Sequence, residues 1–322
     1  MTWPERWRAF VVGNRLILPV YGAILVLAIL APFISQPLAS LESARTILTL
    51  STFLAVLGLG QGIVILTGGI DMSVPWGMAT AGIMLTSLSG GFDAPLVWVI
   101  PAILLFGAAL GAANGVGVAV LGVSPLVMTL AMNVVVRGLT LVAINGTPGG
   151  LTPPAVTYFM SGRILGWMPP VFVLVAALYA GFILVLRRTP YGRHLYAVGT
   201  NAQVAHFSGV RVPWILISAY VISGIMSAIA GTMLTGYSTL AFVNMGDPYL
   251  LPSIAAVVVG GAAITGGRGT PVGTLGGAIM LTLLGTLLTA LVLPAAVRNI
   301  AFGCVILAAV LATSRDARNA RV

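Results

Sequence analysis

The chain has 322 residues, of which 59% are hydrophobic and only 7% charged. A soluble domain carries about 25% charged residues to wet its surface, so most of this polypeptide must face hydrocarbon. Its net charge of +9 comes wholly from Arg, with no Lys, which excludes a lysine Schiff base and an ATP-binding loop of its own.

Apolar stretches long enough to cross a hydrocarbon core of about 30 Å recur along the whole length. They predict ten spans, at 16–34, 46–66, 72–89, 95–119, 124–144, 169–187, 213–236, 249–265, 272–292 and 295–313. The expectation is an all-α polytopic integral membrane protein, a single transmembrane domain over 1–322. The first span follows Arg6, Arg8 and Arg15 and is longer than the signal-peptide core of about 7–15 residues, so it reads as retained. Spans three and eight are short and broken by Gly, Pro and polar residues. Segments 59–69, 108–117 and 273–277 carry Gly at positions that suit close helix packing. Thr67-Gly-Gly69 and Gly82-Ile-Met-Leu-Thr86 are echoed by Thr265-Gly-Gly267 and Ala278-Ile-Met-Leu-Thr282, a pattern that either a structural repeat or shared Gly-rich composition produces.

Orientation follows from Arg placement. With the N-terminus inside, Arg6, Arg8, Arg15, Arg187, Arg188, Arg193, Arg211, Arg268, Arg315, Arg318 and Arg321 are cytoplasmic, against Arg45, Arg163 and Arg298 outside. Both termini are therefore expected in the cytoplasm. The two longest connections are 145–168, a turn-rich outer loop, and 187–212, a polar cytoplasmic stretch.

Asp71 is the most suggestive acid, placed between two spans beside Gly68 and Gly69. It reads either as part of a pathway or hinge, or as an N-cap with Ser73 for the third span. Arg137 lies inside span five and needs a partner unless it snorkels to the helix end. Asp247, before Pro248, reads as an outer helix start, and Glu42 and Asp93 as loop acids. The intramembrane amides and hydroxyls Gln61, Asn114, Thr129, Asn133, Thr232 and Ser253 suit hydrogen bonding to a sugar or another neutral polar solute. Interhelical bonds are the alternative use for each. Cys304 is the single cysteine, and His194 and His206 have no Cys or carboxylate cluster around them. No metal, cofactor or catalytic residue is expected, and no basic stripe points to nucleic acid.

The 187–212 stretch contains a candidate short helix, Asn201 to Ser208, with Asn201 as its N-cap and Val204, Ala205 and Phe207 on an apolar side. Nothing nearby in the sequence would cover that side, so the helix suits a groove on a partner or the membrane interface.

Three motifs carry a family resemblance. Thr67-Gly-Gly-Ile-Asp-Met-Ser-Val74 is similar to TGGIDLSVG. Thr189-Pro-Tyr-Gly-Arg-His-Leu-Tyr-Ala-Val-Gly-Thr-Asn201, continued by Ser208-Gly-Val210, is similar to TxxGRxxxAxGxNxxAAxxSGI. Ile254-Ala-Ala-Val-Val-Val-Gly-Gly261, with Gly266-Gly-Arg-Gly269 and Val272-Gly-Thr274, is similar to IAAVVIGG…GGxGxxxGT. In order and spacing the chain resembles the sugar-type permeases of bacterial ABC importers, the ribose, xylose, arabinose and galactose group. Two positions depart: Pro75 replaces the closing Gly of the first motif, and His206 stands where a small residue is usual.

The resemblance implies a permease subunit in the bacterial inner membrane that moves a pentose or hexose as a homodimer in lipid. A separate cytoplasmic ATPase would grip Thr189, Tyr191, Gly192, Arg193, Gly199, Asn201, Ala205, Ser208 and Gly209, and a periplasmic or lipid-anchored sugar-binding protein would deliver cargo. Pathway or hinge residues are expected at Gln61, Gly68, Gly69, Asp71, Ser73, Asn114, Asn133, Ser253, Gly260 and Gly261. The rival is a stand-alone secondary transporter of a small polar solute. It would call for intramembrane acid or His relays, for which only Asp71 offers itself.

Overall fold

The computed structural model describes residues 17–308 apart from 165, 295, 298 and 306. The described residues are helical throughout, without a named strand. The helices are α1 (Leu18–Ile34), α2 (Leu41–Leu66), α3 (Val74–Ser89), α4 (Leu96–Ala119), α5 (Pro125–Ala143) and α6 (Pro154–Ser161). They continue with α7 (Val171–Arg188), α8 (Pro190–Thr200), α9 (Ala202–Phe207), α10 (Val212–Ser238), α11 (Leu250–Val259) and α12 (Pro271–Ala290). Six of these, α2, α4, α5, α7, α10 and α12, are long and apolar enough to cross a membrane. The tenth expected span lies partly outside the described residues, and the N-terminal and C-terminal Arg clusters lie wholly outside them.

At the centre of the packing is α2. It is hydrophobic on every side and buried along nearly its whole length, as expected for a helix enclosed by others. Its Gly58 and Gly62 face Thr274 of α12, and Gly60 faces Ser223 and Met226 of α10. Tyr179 of α7 donates to Ala55 O at 2.9 Å. Phe53 meets Tyr237 and Tyr249 edge-on, with centroids 5.7 and 6.4 Å apart.

The expected Gly faces are packing faces. On α4, Gly107, Gly111 and Gly115 lie four residues apart, and a Cβ on any of them would collide with the α10 backbone at Gly224, Tyr220 and Ile217 respectively. Small residues at this spacing let two helices touch backbone to backbone, which replaces the missing hydrophobic driving force within lipid. Gly273 and Gly277 bring α12 equally close to Gly260 and Ala256 of α11. The outward surfaces of α4 and α5 are apolar, with Val97, Leu105, Val134 and Leu139 exposed, as a lipid-facing surface requires.

Two expected spans differ in form. The third begins at Val74 and has 16 residues. The eighth is not a full span: α11 has 10 residues, about 15 Å of helix, which covers only half of the core. Pro75 occupies the first turn of α3, where a missing amide hydrogen costs nothing, so the departure from Gly leaves the helix start regular.

Candidate functional site

The helix α10 has 27 residues, about 40 Å, and measures depth for the rest. Gly77 of α3 lies against Ser227, Met78 against Gly231 and Gly82 against Thr235. Pro75 is therefore level with about residue 227, roughly 16 Å from the Ser238 end and 22 Å from the Val212 end. α3 starts near mid-height.

Just below that start, residues 67–73 break the helix. Gly68 has φ +84°, which only Gly adopts freely. Asp71 is 1% exposed and accepts three hydrogen bonds: from Ser73 N at 2.9 Å, Ser73 Oγ at 2.6 Å and Ser223 Oγ at 2.7 Å. Asn114 Nδ2 of α4 donates to Ser73 Oγ at 2.8 Å. The capping expectation is met only by Asp71, which closes an Asx-type turn on Ser73 N; the Ser73 side chain caps nothing. Among the described residues no cation pairs with Asp71. Around this network, both amide atoms of Gln61, Asn114 Oδ1 and Tyr220 OH are buried without a hydrogen-bond partner among the described residues. A layer of unpaired buried polar groups is costly.

A polar stripe on α5 serves the break. Thr129 Oγ1 accepts from Met72 N at 2.9 Å, and Asn133 Oδ1 from Trp76 N at 3.3 Å. Thr140 Oγ1 meets Thr80 Oγ1 at 2.7 Å. These side chains satisfy amides that the interrupted helix leaves open, so the bond-forming use holds for Thr129 and Asn133. Ser253 is buried and donates to Leu250 O, within its own helix, and Thr232 donates to Ala228 O.

The segment 239–249 corrects two expectations. Thr239 lies at the C-terminal end of α10, its carbonyl accepting from Thr152 N at 3.3 Å. Gly246 nevertheless reaches Pro75, where a Cβ would strike the Pro75 carbonyl. The segment thus descends to mid-height before α11 begins, and Asp247 marks a helix start deep in the molecule rather than at its outer surface. Arg137, one turn above Asn133, does not run to the helix end. Its guanidinium carbon sits 5.6 Å from the centroid of the buried Trp76 ring, a cation–π contact.

The 187–212 stretch folds into two helices, and the longer of them escaped sequence reading. Thr189 caps α8, accepting from Gly192 N at 3.4 Å, and Asn201 caps α9, accepting from Gln203 N and Val204 N at 3.0 Å each. Gly192 packs on the Leu186 backbone, and Gly199 packs between Leu66 O and Gly267 N. Gly267 N donates to Leu66 O at 3.0 Å, and Tyr196 OH to Gly269 O at 2.7 Å. Tyr191 OH meets Ser218 Oγ at 3.0 Å. A Cβ on Gly266 would strike Gly68 N, so the two Thr-Gly-Gly segments touch. Gly209, at φ +83°, turns the chain after α9 as Val210 N returns to Ala205 O at 3.0 Å. Ala205 is buried, which removes it from the expected apolar side, whereas Val204 is 59% and Phe207 80% exposed. Arg193, Asn201, Ser208 and Gly209 are also exposed. Gly260 and Gly261 end α11 beside Gly273.

Of the two expected loop acids, Asp93 does more than solvate a loop, and Glu42 is not in a loop but in the first turn of α2. Asp93 Oδ1 accepts from Ala155 N at 2.9 Å, at the start of α6. Arg45 Nη2 donates to Ser161 O at 2.8 Å, at its end, and Arg45 Nη1 pairs with Glu42 at 3.0 Å. Negative charge at the N-terminus and positive at the C-terminus both oppose the helix dipole.

Residues 43–310 match the family described as branched-chain amino acid transport system / permease component. The chain belongs to this family. As a family member it is the multi-pass membrane permease subunit of an ABC importer and not itself an enzyme; ATP is hydrolysed by a separate ATPase, and a substrate-binding protein is the other general partner. The permease is 34% identical to a ribose import permease protein of Haemophilus influenzae over 90% of each chain. It is 36% identical to one of Bacillus subtilis over 91% of this chain and 90% of that protein. An autoinducer 2 import system permease protein of Salmonella choleraesuis is 32% identical over 88% of this chain and 82% of its own. No solved structure matches the permease.

Proposed function

We propose that this permease imports a monosaccharide, a pentose or hexose, across the bacterial inner membrane as a homodimer whose copies each cross it ten times, the third and eighth crossings through helices that start halfway, with both termini in the cytoplasm. Ribose-importing relatives of near-full length support the cargo class. A periplasmic or lipid-anchored sugar-binding protein delivers the sugar, and α9 docks in a groove of the ATPase, with Phe207 as its apolar anchor.

The observation that carries the reading is the seam where Gly199 of α8 seats between Leu66 and Gly267. A displacement of α8 and α9 by the ATPase acts there on both Thr-Gly-Gly segments, and through residues 67–71 on the start of α3. Asp71 is the pin of that hinge, holding α3 to α10 through Ser223. The unpaired polar atoms of Gln61, Asn114 and Tyr220 gain partners when this layer shifts, which lowers the cost of leaving the closed state.

The test is reconstitution with the ATPase and binding protein in liposomes. ATP-dependent accumulation of D-ribose, D-xylose, L-arabinose or D-galactose is expected, and none from the permease alone. Accumulation by the permease alone refutes the coupling.

A further inference from the structure

The hydrogen-bond networks above leave one charged patch unused. Arg137 and Asp247 are exposed, and both sit near the mid-height of α10. Among the described residues neither side chain makes an ion pair. The neighbouring exposed side chains of α5, Leu130 and Val134, are apolar. A charged group at this depth faces water or another protein surface rather than lipid tails. Arg137 lies against Trp76, and Gly246, next to Asp247, lies against the adjoining Pro75, so the two opposite charges flank one spot and form a patch without net charge. Discontinuous helices that start at mid-membrane place such groups where cargo passes, and α11 starts there because Gly246 lets the chain lie against Pro75.

We propose that Arg137 and Asp247 form a cargo-binding subsite at mid-membrane, the guanidinium donating to and the carboxylate accepting from neighbouring hydroxyls of one neutral polyhydroxylated solute. The subsite rests on the import function proposed above and gives the permease recognition of its own, beyond that of the binding protein. A diol offers a lone pair to Arg137 and a proton to Asp247 at once, and hydrogen bonds to charged groups are the stronger kind. A charged cargo meets a like charge on one side, and an apolar one satisfies neither group. Trp76, 1% exposed beneath the guanidinium, holds Arg137 in place. Asn133, tied to Trp76 N, fixes the α5 register one turn away.

The test uses the importer assembled with its ATPase and binding protein, assayed for uptake of D-ribose, D-xylose, L-arabinose and D-galactose. Asp247→Asn and Arg137→Gln should each lower uptake of the carried sugar at least about tenfold, because the partner groups on the cargo go unpaired. Both variants should still co-purify with the ATPase, which reports folding and assembly. Uptake within about twofold of wild type in both variants overturns the subsite. Accumulation of none of the four sugars by the wild-type assembly overturns the import function and the subsite with it.

A second measurement separates cargo contact from structure. In a Cys304→Ser background, a water-soluble methanethiosulfonate should modify Asn244→Cys, whose carbonyl accepts from Asp247 N at 3.0 Å, but spare Val134→Cys, and the carried sugar should slow the reaction at Asn244→Cys, where both charges remain. Absence of reaction at Asn244→Cys, or sugar-independent reaction there, overturns the proposal.

Discussion

The two half-height helix starts, at α3 and α11, treat an acid in opposite ways. Asp71 and Asp247 each precede a Pro in the first turn of the following helical segment. Asp71 is sealed by donors from its own turn and from α10, while Asp247 stays exposed and makes no ion pair among the described residues. Similar local chemistry therefore takes its role from what packs around it. Where α4 and α10 close on the carboxylate through glycine contacts, the acid becomes a pin. Where the chain returns to mid-height along 239–249, the acid stays exposed, as the proposed subsite requires.

The largest expected effect breaks this contrast directly. Asp71→Ala strands three buried donors and should destabilise the protein by about 3 kcal/mol, whereas Asp247→Ala should stay within about 0.5 kcal/mol. Thermal unfolding of the two variants in detergent compares them. Equal losses would make both acids structural.

Next in size is Gly199→Val. Its side chain enters the contact with Leu66 O, and overpacking of this kind costs about 1–3 kcal/mol. Uptake should fall while the ATPase still co-purifies, since α9 itself is untouched. Retained uptake would detach the seam from transport.

Phe207→Ala addresses the opposite kind of position. The ring is 80% exposed, so the melting temperature should not move, but affinity for the ATPase should fall about tenfold, or 1.4 kcal/mol. Titration of the purified ATPase measures it.

The smallest effect sharpens the comparison with a third acid. Asp93 also precedes a Pro, yet its carboxylate serves Ala155 N of α6. Asp93→Asn keeps the acceptor and loses the charge, for about 0.5 kcal/mol. Limited proteolysis of the 145–168 loop should quicken slightly.

Much of the architecture was legible because membrane helices announce themselves by apolar length and Gly spacing. The long spans, the Gly faces of α4 and α12 and the Asn201 cap all follow from local rules. The half-helix α11 was legible only in part: residues 249–265 read as a short span broken by Gly, Pro and polar residues, but hydropathy does not distinguish a helix that crosses from one that starts halfway. That difference lies in Gly246, whose missing side chain matters only once Pro75 is known to face it. α8 was hidden for the converse reason: Arg193, His194 and two Gly residues make it look like a loop, and it is held by contacts with Leu66 and Gly269, far away in sequence, as well as with Leu186 just before it. The first motif drew attention to Asp71 and away from Arg137 and Asp247, which share no motif and meet only through the fold.

The link from the ATPase to the broken helix is tested most directly by amide hydrogen exchange in the assembled importer, with and without ATP bound to a hydrolysis-deficient ATPase. Exchange over residues 66–73 should change together with that of α8 and α9, because Gly199 and Gly267 bind these segments into one body. A response confined to α8 and α9, with 66–73 unaltered, would contradict it.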